Sequence, residues 1–302
     1  YFELYVNGRK ANEDVLSPNQ TNYGKRPGIE KSPAIPLADN FAEYRVFYIG
    51  IDLTPLLCEG TNALGVILGN GFYNTDCHWD EPYGSLRFFG QVLLEYQDGT
   101  SDVVVSDGTW RAAKSAIVEH DIFRGEHYDA RLEHEGWSFP GFDDSGWDPI
   151  AMREPPFGRL VAQNGPADRV CERFEPVSIT RRDDGTFRVL FPVEISGWVH
   201  FKGINAPAGT CISIEYICES PIGSNSYTCK GTGHECYRPR FTWFVFREVI
   251  VHGWHGGLGP ENITAEAVNS DVGCISRFTC SNELFNKLQT AYVRTQLDNF
   301  HG

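Results

Sequence analysis

The chain has 302 residues, of which 41% are hydrophobic and 13% aromatic, and it carries a formal net charge of −14. That length suits two domains with ample core. No basic stripe offsets the negative charge, which excludes nucleic acid and anionic membrane as partners, and no run approaches the ~18 apolar residues of a membrane span.

In chain order the first half reads as β. Residues 3–10 form a strand running into an Asn7-Gly8 turn. A polar, proline-bearing stretch, 17–40, reads as a long loop. Residues 44–53 alternate again, and the turn 59–62 precedes the apolar run 63–68, which ends in the glycine-rich loop 69–74. Residues 91–96 and 101–105 make a hairpin about Gln97-Asp98-Gly99-Thr100. Strands at this spacing, with turn signals between them, predict an antiparallel sandwich. Residues 125–147, GEHYDARLEHEGWSFPGFDDSGW, mix charge, aromatics and glycine without periodicity and read as an ordered surface loop. Residues 152–167, with three prolines and two glycines, read as a domain boundary.

The second half opens a new set of strands. Residues 174–181 and 186–191 flank the turn 182–185, and 197–201 follow. A turn at 206–210 leads to 211–218, which alternate cleanly. Residues 221–239 read as a cysteine-bearing loop, 241–253 as a strongly apolar strand, and 263–268 as the last strand. Residues 281–302 then form the one long amphipathic helix. Its apolar line runs through Leu284, Leu288, Ala291, Tyr292 and Thr295, with Ser281 as N-cap and Glu283 in the first turn. A helix with one apolar face needs something to bury that face. The stripe is expected to lie against a sandwich or to fray, and a helix opening where the chain stops is expected to mark the entrance to another domain. The chain also begins inside a strand-like pattern, so a missing natural N-terminus is expected. No secretory signal is present, and the compartment, cytoplasmic or secreted, stays open.

Nine cysteines occur at loose spacings with no CxxC. Cys218, Cys229, His234 and Cys236 fit no structural zinc pattern well, so free or buried thiols, or one or two disulfides, are the better reading. Two sequons occur, at Asn19 and Asn262. No G-x-S-x-G elbow, P-loop or strand–GxGxxG–helix unit is present. Glycosidase chemistry needs two facing carboxylates. Glu126, Asp129, Glu133, Asp143 and Asp144 are the acidic candidates, and solvated loop acids are the plainer reading. Sugar binding fits better, because it pairs an aromatic face with polar groups that hydrogen-bond hydroxyls. Two loops supply that mix. One holds Asn70, Tyr73 and Trp79, and the other Glu126, Asp129 and Arg131. The alternative is that Tyr73 and Trp79 are core aromatics and Asp129–Arg131 a structural ion pair.

Several stretches together resemble the N-terminal, non-catalytic part of bacterial-type α-L-rhamnosidases of glycoside hydrolase family 78. They are ELYVNGRK (3–10), NALGVILGNGFY (62–73), EYQDGT (95–100), GEHYDAR (125–131), FDDSGW (142–147), Gly197-Trp198, Ala208-Gly209-Thr210, Phe246-Arg247 and the closing TQLDNFHG. The run FPVEISG (191–197), the segment 27–44 and the loop 221–236 depart from the family pattern. The resemblance implies an all-β fold of two consecutive antiparallel β-sandwiches, the first a galactose-binding-like jelly roll and the second concanavalin-like. One C-terminal helix then begins a truncated (α/α)6 barrel. The implied division is 1–165, 166–272 and 273–302. The family hydrolyses terminal α-L-rhamnose with inversion, and its catalytic carboxylates would follow His301-Gly302, so no catalytic residue is assigned within the chain. The implied partners are rhamnose-containing glycans and the missing catalytic domain. A free-standing carbohydrate-binding module is the alternative. Some relatives bind rhamnose on the first jelly roll with calcium. The resemblance admits that ion without mapping residues to it, and no other cofactor is implied.

Overall fold

A computed structural model describes residues 1–21, 23–24, 43–75, 82–218 and 223–301. Among them the chain is mostly β, with one α-helix. The dominant element is a ten-stranded sheet. Its hydrogen-bonded order is Asp168–Phe174, Ile263–Ser270, Phe187–Ile204, Phe244–His252, Cys211–Ile217, Ser224–Thr228, Gly125–Asp129 and Ile117–Asp121. Ser178–Arg181 and Glu235–Tyr237 pair with Phe187–Ile204 off that path. A smaller three-stranded sheet joins Arg9–Lys10, Phe2–Val6 and Leu64–Leu68.

Alternation builds the core. In Cys211–Ile217 the residues Ile212, Ile214 and Tyr216 point inward and are essentially inaccessible, as are Phe191, Phe201, Phe246, Val249 and Val251 from neighbouring strands. Each such side chain stabilises the fold by about 1.5–3 kcal/mol relative to exposure. The expected Asn7-Gly8 turn and the 97–100 hairpin both form.

Several expectations are corrected. Residues 125–129 are not surface loop: they form a strand whose segment 127–129 pairs in parallel with 226–228 of the expected loop 221–239. That second loop also contributes Glu235–Tyr237. The expected boundary 152–167 contains the strand Arg159–Ala162, which pairs in parallel with Arg45–Tyr48. The pairing is therefore not wholly antiparallel, and the ten-stranded sheet draws residues 117–129 from before the 165/166 line.

The helix spans Glu283–Asn299, and its cap is Asn282 rather than Ser281. The Asn282 side chain accepts from the Leu284 N–H, satisfying one of the first orphan donors. The apolar stripe does not pack against a sandwich: Leu284, Leu288 and Tyr292 are 69%, 63% and 60% exposed. What holds the helix is polar and sits at its C-terminal end. Asp298, buried, accepts the Ser196 N–H at 3.0 Å, and Arg294 pairs with Glu172 at 2.8 Å. Burial raises the Asp298 carboxyl, partly offset by the Ser196 N–H and Arg294. Asp298→Ala strands that buried N–H, at a cost of ~1–3 kcal/mol. Hydrogen exchange should then accelerate at residues 294–299. Unchanged protection there would show that the helix is held by something else.

Candidate functional site

The loop carrying Asn70 is tied inward. The Asn70 Nδ2 donates to the His120 carbonyl at 2.7 Å, its Oδ1 accepts from Asn74, and its N–H donates to the His120 Nε2. Tyr73 stacks on Tyr83 with centroids 5.6 Å apart, and Tyr23 meets both rings edge-on. Trp79 lies outside the described residues. Asp129 and Arg131 form a bidentate ion pair at 2.9 and 2.7 Å. Asp129 also accepts the Arg131 N–H, capping the short 3-10 turn Ala130–Leu132. His120 is registered opposite Glu126 in the strand pair, so both loops reach the same place. The polar groups of Asn70, Asp129 and Arg131 are engaged with the protein itself.

Glu126 is 0% exposed. Its two oxygens accept from the Tyr237 hydroxyl at 3.2 Å and the Arg240 N–H at 3.1 Å. Burial pushes its carboxyl up to about 7, against the pull of Arg240 and those two donors. Tyr237 and Arg240 form the wall between Glu126 and a cleft of about 240 Å³ lined by Glu3, Tyr5, Tyr128, Glu133, Arg238 and Arg240, with His200, Cys236 and Tyr237 completing it. The cleft lies where the small N-terminal sheet meets the 235–240 segment.

Every charge in the cleft is met by an opposite one. Arg240 reaches Glu3 at 3.4 Å and lies over the Tyr128 ring at 5.2 Å. Glu3 also takes Lys10 at 2.9 Å and the Tyr5 hydroxyl. Glu133 accepts from Tyr128 at 2.9 Å and Lys230 at 2.6 Å. Arg238 faces Glu266 at 3.4 Å, and Glu266 further accepts from Trp198, His200 and Arg173 at 2.9–3.1 Å. Burial works to raise the Glu266 carboxyl, but the hydrogen bonds from His200 and Trp198 and the charge of Arg238 win, holding it down at about 2. None of the five described residues expected from the two loops lines the cleft. Glu126 stands directly behind it. The signal for the others was a single charge inside an apolar strand pattern, as Glu3 in FELYV and Glu266 in ITAEAV. Buried charges need partners, and those partners are remote in sequence.

The sequence matches the α-L-rhamnosidase N-terminal domain over residues 35–172 and the bacterial α-L-rhamnosidase concanavalin-like domain over residues 221–269. The chain belongs to the bacterial-type α-L-rhamnosidase family, glycoside hydrolase family 78. It is 31% identical to an α-L-rhamnosidase of Formosa agariphila over all of its own length and 32% of the relative's. It is 30% identical to one from Streptomyces avermitilis, across 99% of this chain and 29% of that one. The solved structure of the α-L-rhamnosidase from Dictyoglumus thermophilum superposes with a TM-score of 0.87 at 32% identity, covering 99% of this chain and 33% of the other. The Streptomyces avermitilis enzyme complexed with L-rhamnose superposes with a TM-score of 0.86 at 28% identity, covering 99% and 29%. The chain thus spans about a third of the length of the relatives it matches.

One constellation in this rhamnosidase region has the connectivity of a hydrolase triad. The Ser196 Oγ meets the His301 Nε2, and the His301 Nδ1 meets Asp168 at 2.9 Å. It lacks the rest of such a site. Ser196 is buried, and its N–H, which would have to serve an oxyanion, is given to Asp298. His301 stacks flat on Trp243 at 4.2 Å, and Asp168 accepts from Ser270. The group clasps the end of the helix to the sheet. Among the described residues no three His, Cys, Asp or Glu side chains gather as a metal site, Cys218, Cys229, His234 and Cys236 included. Eight described cysteines are free, and burial pushes the Cys229 thiol up to about 11. Cys77 lies outside the described residues.

Proposed function

We propose that the chain is a non-catalytic accessory region of an inverting α-L-rhamnosidase that releases terminal α-L-rhamnose from glycans. In this reading its β-rich region, residues 1–272, braces a catalytic (α/α)6 barrel. Residues 273–302 lead into that barrel, and the catalytic carboxylates lie beyond residue 302. The observation that carries the reading is the helix. Its polar end is clasped to the sheet while Leu284, Phe285, Leu288 and Tyr292 face outward. A continuous apolar stripe on an otherwise polar helix is a surface built to be covered. The names of the relatives, and the third of their length that the chain spans, support an α-L-rhamnosidase as the enzyme and its catalytic domain as the occupant.

The 302-residue chain should therefore leave an aryl α-L-rhamnoside uncleaved, while the polypeptide extended through the remaining length of its relatives should cleave it. Turnover by the chain alone, comparable with that of the extended protein, would sink the accessory reading. A second reading, a sugar-binding module, is favoured by the tyrosine-lined cleft.

A further inference from the structure

We infer that the cleft between the N-terminal strand Phe2–Val6 and the 235–240 segment is a binding site for one neutral saccharide unit, held by Glu3, Tyr128, Glu133, Arg238 and Arg240. The choice of rhamnose as first probe rests on the proposed function. The site itself rests on its chemistry.

Three features set the ligand class. The first is charge. Arg240 with Glu3, Arg238 with Glu266, and Lys230 with Glu133 form opposed pairs around the opening. An anion entering would meet Glu3 and Glu133, and a cation would meet Arg238 and Arg240. A neutral polyol meets neither penalty. Its hydroxyls can donate to the carboxylate oxygens and accept from the guanidinium N–H groups.

The second feature is shape. About 240 Å³ falls below the ~300 Å³ at which drug-sized pockets begin, so a single ring fits and an oligosaccharide does not. Tyr5 supplies apolar surface for the ring's C–H face, backed by the buried Tyr237 and by Tyr128, whose ring lies under Arg240.

The third feature is rigidity. Tyr128 and Tyr237 both pack on Tyr227, at 5.8 and 5.0 Å, and Tyr227 donates to Glu235. Tyr5 is fixed by Trp137 at 5.2 Å and by Glu3. Groups held this way lose little freedom when a ligand arrives, which removes one of the costs of binding. The site is separate from the loop of Asn70 and Tyr73, where the Asn70 amide is tied to His120 and Asn74.

The test is calorimetric titration of the 302-residue chain with L-rhamnose, then with L-fucose, D-galactose and D-glucose. Saturable millimolar binding is expected. It should weaken at least tenfold in Arg238→Met and in Glu133→Gln, both partly exposed substitutions, and should persist in Tyr73→Ala. Circular dichroism melts identify any variant that fails to fold, and the other cleft variant then decides. Binding of another neutral sugar but not rhamnose, lost in the same variants, would uphold the cleft while counting against the rhamnose reading. The inference is overturned by no heat with any of the four sugars at about 100 mM. It is equally overturned by binding that survives both cleft variants, or by binding lost only in Tyr73→Ala.

Discussion

Gly197→Ala should destabilise the chain by about 3–5 kcal/mol, combining backbone strain with overpacking. Gly197 has φ +151° and sits mid-strand, registered against Phe244 on one side and Ala267 on the other. A Cβ there would be driven into the Glu266 carbonyl, backbone that cannot swing aside. The Ile263–Ser270 strand would have to move, and with it two functional features. Trp198 and Ser196 flank the glycine: one donates to Glu266 at the cleft, the other anchors Asp298 of the helix. Gly185→Ala is the control, since Gly185 also has positive φ but nothing surrounds its Cβ position. It should cost only ~1–2 kcal/mol, the local left-handed penalty. Urea unfolding of the two variants checks the difference. Equal costs would show that the sheet tolerates the added atom and that Gly197 is not a fixed point of the fold.

What the sequence disclosed was what neighbours along the chain decide. Asn7-Gly8, the 97–100 hairpin and the alternation of 211–217 depend on adjacent residues, and each forms. The helix is legible for the same reason, yet the stripe marks the face left open rather than the face that docks. Docking rests on Asp298, Arg294 and His301, three polar residues that an apolar pattern ignores. The strand Gly125–Asp129 was hidden because Glu126 and His127 break any apolar alternation. Its pairing with 226–228 in parallel requires a long-range crossover that no local signal carries. The candidate site was legible only in part for a related reason. The aromatic and acidic residues of the two loops have the composition of a sugar site. The side chains of Asn70, Asp129 and Glu126, however, are engaged with His120, Arg131, Arg240 and Tyr237, whereas the open cleft assembles residues scattered from 3 to 240.

Glu126→Gln should change how stability depends on pH, gaining on the unsubstituted protein by roughly 3 kcal/mol as pH rises from about 4.5 to about 7. Buried and pushed up to about 7 from an ordinary 4.5, the Glu126 carboxyl holds its proton in the folded state over a range where the unfolded chain has lost it. The folded state therefore binds more protons. The stability this group contributes is fully present below about 4.5 and is lost as pH rises through about 7. Glutamine has no proton to lose. His120, registered opposite, acts in the other sense. Burial holds its imidazolium down to about 4, so it favours folding increasingly as pH rises from about 4 towards 6.5. Glu266, held at about 2, contributes stability above about 4.5 that is lost only as pH falls towards 2. The whole-protein profile is thus a sum of opposed slopes. The difference between variant and parent isolates Glu126, because the other groups are common to both. Urea midpoints at pH 4.5, 6 and 7.5 for the two proteins supply it. A flat difference would mean that Arg240, at the wall of the cleft, keeps Glu126 ionised throughout. The cleft would then be backed by a fixed negative charge rather than by a carboxyl that ionises near neutrality.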